Sequence, residues 1–274
     1  MTVINTNVNA LFSQNAIKVN NRNLSTAMEQ LSTGQRINSA KDDAAGLAIT
    51  NTMTSNIRGL SQAVRNANDG ISMLQTAEGA MVEQTNMLQR MRELAVQAST
   101  ATYNSTQTGF LNTEFVALKT QIGSITSQTT WNGDTILNTG TTYSFLVGAS
   151  SGQTIDVQVA DMTISGSTGM GVLSGVTISA TADAMGALSS IDSALNTINA
   201  ARASIGAGIN RLTYAADNLN NVVQNTTASR SQILDTDYAV ATTKLASSQI
   251  IAQAATAMLA QANQSQQGVM ALLK

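Results

Sequence analysis

A seven-residue repeat of apolar side chains is the feature that most constrains this chain. Apolar residues separated alternately by four and three positions line one face of a helix, and a repeat kept over several heptads is typical of helices that pair. The first run comprises Met53, Ile57, Leu60, Val64, Ala67, Ile71, Leu74, Met81 and Leu88, with Glu78 and Thr85 as polar members. It predicts one long helix. A second helix is predicted through Leu111, Phe115, Leu118, Ile122 and Ile125.

The C-terminal part of the chain carries the longest repeat. One register runs from Leu188 to Ile233 and another from Leu234 to Leu273, so the phase slips by one residue between them. The sequence contains no proline, which would break such helices. A weaker repeat near the N-terminus ends at Gly34, a residue suited to the left-handed position of a helix C-cap. Ser39, with Asp42 three residues later, is predicted as the N-cap of the next helix.

Residues 131–180 depart from the helical pattern. Apolar side chains alternate with polar ones on both sides of a glycine-containing turn, which predicts a β-hairpin. The alternating residues are Tyr143, Phe145 and Val147, then Ile155, Val157 and Val159.

These patterns predict a mainly α fold, a long coiled-coil-like helical bundle formed by the N- and C-terminal segments with a small β-hairpin insert. We predict two domains. Residues 1–45 and 234–274 would form an inner coiled coil of terminal helices, and residues 46–233 a helical bundle carrying the hairpin at about 131–180.

The seam of the last helix is rich in small and polar residues, among them Ala241, Ser248 and Ala252. Burying a leucine stabilises a fold by about 1.5–3 kcal/mol, whereas ordering the backbone costs about 1–2 kcal/mol per residue. We therefore predict that this segment becomes ordered only when many copies pack around it; the alternative is a poor, frayed helix. The predicted inner-core packing residues are Leu245, Leu259, Val269 and Leu273.

Composition narrows the possible functions. Without histidine or cysteine there is no Ser-His-Asp triad, no HExxH site, no disulfide and no cysteine-bound zinc. The acidic pairs Asp42–Asp43 and Asp235/Asp237 remain as conceivable catalytic carboxylates, but Asp42–Asp43 sits where a helix start favours negative charge. We expect no enzyme activity, no catalytic residue, no cofactor and no metal. A net charge of −2 argues against nucleic-acid binding, and the many polar residues between Leu245 and Leu273 argue against a membrane span.

Several long motifs resemble bacterial flagellin, in order, at both ends of the chain. They are the stretches 4–11, 31–49, 89–97, 229–238 and 261–268, followed by Leu272 and Leu273. The resemblance covers about 1–135 and 184–274. It implies a subunit of the flagellar filament whose terminal segments form an inner coiled-coil layer. The insert is too short for the family's outer domains, so a minimal member without them is expected. A hook–filament junction protein and an unrelated coiled-coil scaffold are the alternatives.

The resemblance also implies partners. Besides copies of itself, these are the hook-associated junction and cap proteins, an export chaperone that masks an exposed apolar stripe at Leu245, Leu259 and Leu273, and the type III export apparatus. Export by that route would fit an opening, Met1–Asn7, that lacks the features of a secretory signal. The monomer is expected to be recognised by Toll-like receptor 5. The residues implied for this are Gln89, Arg90, Leu94 and Glu114, where a cation, an apolar knob and an anion would form one patch. Residues 269–273 resemble the segment sensed by NAIP receptors.

Overall fold

The computed structural model describes residues 6–164 and 169–271 and is predominantly helical. The helices are α1 (Val8–Thr33), α2 (Ala44–Ala98), α3 (Ser105–Gln128), α4 (Thr181–Leu234) and α5 (Tyr238–Ala271), with a 3-10 helix at Gly169–Leu173. The strands are β1 (Thr130–Trp131), β2 (Asp134–Thr135), β3 (Thr142–Leu146) and β4 (Thr154–Gln158). The predicted mainly α fold with a small β insert is confirmed.

The chain divides into two compact units. The terminal unit comprises Met1–Ile57 and Gln224–Lys274, and the middle unit comprises Arg58–Val223. The predicted phase slip at Ile233–Leu234 coincides with the end of α4 at Leu234, and α5 begins four residues later at Tyr238.

Large apolar side chains fill the middle unit. The repeat predicted on α2 supplies Leu74, Met81 and Leu88, and that on α3 supplies Phe115 and Ile122; all five are fully buried. The repeat of α4 adds a third row to the same core, with Ile191, Ile198, Ile205 and Leu212 fully buried. Ala187, Ala194 and Ala201 alternate with these residues and are buried as well. Leu188, Leu195 and Ile209 of the predicted repeat are half-buried beside them, so the apolar stripe of α4 is wider than a two-position coiled-coil seam.

The hairpin of β3 and β4 packs its apolar face on this core. Its strands pair antiparallel, with Tyr143 opposite Val157 and Phe145 opposite Ile155, as the alternation predicted. Two helical glycines make room for it. A Cβ at Gly70 would lie 2.8 Å from the ring of Phe145, and one at Gly208 would lie 2.8 Å from Val157. Their role is therefore close approach of helix and hairpin.

The segment after β4 contributes to the core, which the glycine-rich sequence did not predict. Met170, Leu173 and Ile178 are fully buried. Lys119 on α3 donates a 2.9 Å hydrogen bond to the Val176 carbonyl, and Asn112 accepts one of 2.9 Å from the Ile178 amide. The insert thus covers part of the bundle core as well as forming a hairpin.

Candidate interaction surfaces

The terminal unit is built on an antiparallel pair of helices, α1 and α5. Asn20 of α1, 5% exposed, donates a 2.7 Å hydrogen bond to the backbone carbonyl of Ser248. Asn7, the N-cap of α1, donates one of 3.1 Å to the carbonyl of Ala262. The α5 residues turned to the seam are those that the repeat predicts, namely Ala241, Leu245, Ser248, Ala252, Ala255, Leu259 and Ala262.

Leu245 and Leu259 are therefore half-buried at this seam rather than part of an exposed stripe, which corrects one part of the sequence interpretation. Several large apolar side chains on other faces of α5 are exposed, among them Val240, Ile250, Ile251 and Met258. Val269 falls in the last part of α5, where side chains are not described, and Leu273 lies outside the described residues.

Exposed apolar side chains also line α1. Phe12 is 77% exposed, and Val8, Leu11, Val19 and Met28 are exposed as well. On α5, Ile250 is 66% and Met258 63% exposed. A narrow helix pair that buries small residues and exposes large apolar ones presents a surface suited to further packing.

Hydrogen bonds join residues 34–36, which follow α1, to residues 233–238, which lead into α5. We call these two bonded segments the clasp. The amide of Thr236 donates to the Gly34 carbonyl at 3.0 Å, and the amide of Arg36 donates to the Leu234 carbonyl at 2.7 Å. The Arg36 guanidinium adds a 2.7 Å bond to the Ile233 carbonyl. Gly34 has φ +71° and caps α1, as the sequence predicted.

The start of α2 differs from the expectation. The helix begins at Ala44, and Asp43 accepts a 2.8 Å hydrogen bond from the Gly46 amide, so Asp43 rather than Ser39 occupies the capping position. Asp42 instead accepts bonds from the Ser39 hydroxyl and from the amides of Ser39 and Asn38. The bond from the Ser39 hydroxyl is the main cause that lowers the pKa of Asp42 below its usual value. Both carboxylates therefore have structural partners.

The middle unit carries an exposed cluster of charges on α2 and α3. Arg90 donates to Glu114 at 2.9 Å and to Glu93 at 3.0 Å, and its side chain remains 51% exposed. These bonds, the one to Glu114 first, raise the pKa of the Arg90 guanidinium. Gln89 is exposed beside it. The structure thus brings Arg90 and Glu114 together across two helices.

Leu94 does not join this cluster. It is 1% exposed and belongs to the core, because the buried row of α2 runs through Leu88, Met91 and Leu94 while Arg90 lies outside that row. The expected apolar knob is therefore not present on the surface in this structure. The exposed apolar residue nearby in sequence is Val96.

Among the described residues, no group of three or more acidic side chains is arranged to hold a metal ion, and no helix is long and apolar enough to cross a membrane. Long helices that share an apolar core in the middle unit, with exposed apolar side chains on the paired terminal helices, are typical of helical structural proteins that assemble.

Comparison with known proteins identifies the family. The model of the bacterial flagellin N-terminal helical region matches residues 4–142, and that of the C-terminal helical region matches residues 188–273. A flagellin of Halalkalibacterium halodurans is 41% identical over 273 residues, 99% of this chain and 100% of the relative. The flagellar filament 31.3 kDa core protein of Treponema maltophilum is 39% identical over 285 residues, again 99% and 100%.

A crystal structure of Bacillus cereus flagellin shares 31% identity with a TM-score of 0.50, over 57% of this chain and 88% of that one. The chain belongs to the bacterial flagellin family. It is a structural subunit of the flagellar filament, and the comparisons give no support to the junction-protein alternative over flagellin.

Proposed function

We propose that the terminal unit is the polymerisation surface through which this subunit joins the filament, with α1 and α5 as its inner core. The observation that carries the proposal is the exposure of large apolar side chains on both helices of a pair whose buried seam residues, such as Ala27 and Ser248, are small or polar. Burial of each such side chain between copies stabilises the assembly by about 1.5–3 kcal/mol.

The test places a charge on the outer face of α5. Ile251→Asp puts an unpaired carboxylate into a surface that neighbouring copies cover, which costs several kcal/mol in every subunit. Filament yield by sedimentation and electron microscopy is expected to fall to near zero. Gln253→Asp is the matched control, because Gln253 is exposed on the same helix and already polar. Normal filaments from the Ile251 variant would contradict the proposal.

Under this proposal, Leu245 and Leu259 pack against α1 within each subunit, and Val269 and Leu273 extend the inner-core packing toward the chain end. Residues 1–45 and 234–274 would then form the inner layer and 46–233 the surrounding bundle. The boundaries of these two predicted domains lie about ten residues from the boundaries of the two compact units.

We further propose that the monomer is recognised by Toll-like receptor 5 through the cluster of Gln89, Arg90 and Glu114, with Leu94 supporting it from the core. An exposed, pre-arranged guanidinium and carboxylate offer charge-assisted hydrogen bonds to a partner. Losing a buried charged contact at an interface typically costs about 2–5 kcal/mol.

The chain contains a matched control for this site. Arg92 pairs with Asp192 at 2.9 Å, and both are about half exposed, like Arg90 and Glu114. Arg90→Ala with Glu114→Ala is expected to weaken a receptor reporter well over tenfold, whereas Arg92→Ala with Asp192→Ala changes it little. Both double mutants are first compared with the parent by circular dichroism. Equal potency of the two would remove Arg90 and Glu114 from the recognition site.

The remaining partners follow from membership of the family. We propose export through the flagellar type III apparatus without cleavage of a signal, an export chaperone on the C-terminal helix, and contacts with the hook-associated junction and cap proteins at the filament ends. Recognition of residues 269–273 by NAIP receptors is a further proposal. Mass spectrometry of secreted subunits tests the first point, since a cleaved N-terminus would contradict it.

A further inference from the structure

The seam between α1 and α5 repeats almost unchanged every seven residues. One row of it on α5 consists of the small residues Ala241, Ser248, Ala255 and Ala262, of which the first two are buried and the last two half-buried. If α5 slid by one heptad, about 10.5 Å at 1.5 Å per residue, three of these four positions would receive another small residue of the same row. The neighbouring row, Leu245, Ala252 and Leu259, is half-buried, so the leucine and alanine side chains that a slide exchanges are buried only in part. Packing therefore discriminates weakly between the native register and one displaced by a heptad.

The two asparagine bonds across the seam do not resolve this ambiguity. Asn20 and Asn7 both donate to backbone carbonyls of α5, and their spacings, 13 residues on α1 and 14 on α5, agree with one antiparallel register to within a residue. A helix offers an equivalent carbonyl one heptad further along. These bonds consequently determine which face of α5 turns toward α1, because a buried amide must find an acceptor.

The clasp is different because it has no equivalent one heptad away. It needs a residue with positive φ directly after α1, which Gly34 provides, and the free amides of Arg36 and Thr236 outside both helices. In the parts of α1 and α5 whose side chains are described, no ion pair joins the helices to add a second unique contact.

We propose that the clasp sets the register in which α1 pairs with α5, so that Gly34, Arg36 and Thr236 are positioning residues for filament assembly. The inference rests on the proposed role of the terminal unit as the polymerisation surface. A slide of one heptad displaces Ile251 and Met258 by about 10.5 Å relative to Phe12. Copies in a regular filament must present one common apolar surface, so a displaced register packs poorly there and disfavours assembly.

The absence of cysteine from the chain makes the register measurable. Counting from Asn20 and Ser248, Ala27 falls opposite Ala241, and both are buried. Ala27→Cys with Ala241→Cys reports the native register. Ala27→Cys with Ser248→Cys reports a slide in one direction. Counted from Asn7 and Ala262, Ala10→Cys with Ala252→Cys reports the opposite one. Each full-length double-cysteine chain is co-assembled with excess cysteine-free subunits, so that disulfides form within single chains.

The clasp is then broken in two ways. Gly34→Ala forces a Cβ into the left-handed region and places it 3.1 Å from the Tyr238 hydroxyl, and Thr236→Pro removes the amide that bonds Gly34. Each is expected to raise the ratio of displaced to native cross-links about tenfold, in keeping with the strain of a left-handed alanine. Gly34→Asn carries the same Cβ but tolerates positive φ, so it is expected to return the ratio toward the native value. Gln35→Ala, whose side chain makes no described clasp bond, is the matched control.

An unchanged ratio in both clasp variants would overturn the proposal. Loss of all cross-links in them would overturn it too, since the clasp would then hold the helices together without setting their register. A missing native cross-link in the clasp-intact chain would contradict the pairing of α1 with α5 in the filament, and with it both this inference and the proposed polymerisation surface.

Discussion

The helices of the middle unit and of the terminal unit follow the same heptad repeat, but the side chains that they bury differ in size. The middle unit encloses leucine, isoleucine, methionine and phenylalanine at zero exposure, for example Leu88 and Phe115. The terminal pair encloses alanine, serine and asparagine, and leaves Phe12 and Ile251 outside. The comparison shows that periodicity specifies a helix and its inward face, whereas the size of the buried residues decides whether the fold is stable without neighbours.

The largest effect is expected from a charge introduced into the terminal unit, which should abolish filament formation and leave the middle unit folded. Leu259→Asp places a carboxylate at the α1–α5 seam, where charge is costly, and the defect recurs in every subunit. Filament formation is expected to fail, while the thermal melting of the middle unit stays unchanged. Gln261→Asp, at an exposed polar position of α5, serves as control. Normal filaments would show that Leu259 lies outside the packed seam of the assembled protein.

A smaller effect, on the free energy of unfolding, is expected from a cavity in the core of the middle unit. Leu88→Ala removes a fully buried side chain and is expected to destabilise the unit by about 2–5 kcal/mol in denaturant unfolding. Val96→Ala, on the same helix but exposed, should change the free energy of unfolding by less than about 0.5 kcal/mol. Similar losses for the two variants would contradict the claim that this core carries the stability of the monomer.

The smallest effect concerns the turn before α2 in the terminal unit. Because the pKa of Asp42 is lowered in the folded chain, its ionised form stabilises the turn above its ordinary pKa, and this contribution is lost as the pH falls through the lowered value. Ser39→Ala removes the hydroxyl whose hydrogen bond is the main cause of the lowered pKa. The Asp42 pKa is therefore expected to move back toward 3.8, measured by NMR titration of the carboxyl carbon. An unshifted titration would show that the Ser39 hydroxyl does not act on Asp42.

Much of the fold was predictable from the sequence because its helices are long and their apolar period is regular. The inward face of α5 and the break between α4 and α5 follow directly from the heptad phase. The capping position before α2 was predicted wrongly, since Ser39 and Asp43 are both competent caps and only the path of the chain selects between them.

The surfaces were less predictable than the elements. Arg90 and Leu94 are one helical turn apart, which suggested a common face, yet the buried stripe of α2 is wide enough to take in Leu94 and leave Arg90 outside. The clasp was not predicted because its two amide bonds join backbone groups about 200 residues apart, and bonds between backbone groups leave no signature in side-chain patterns. Of the clasp residues, the sequence indicated a structural role for Gly34, as the C-cap of α1.

Limited proteolysis of the monomer tests the central claim, that the middle unit folds alone and the terminal unit needs neighbouring copies. Trypsin is suitable, since Lys18 and Arg22 on α1 and Lys244 on α5 are exposed. The account predicts rapid loss of both termini from the monomer, leaving a resistant fragment of about 58–223, and protection of the same sites in filaments. A monomer whose terminal helices resist protease as well as the middle unit does would contradict it.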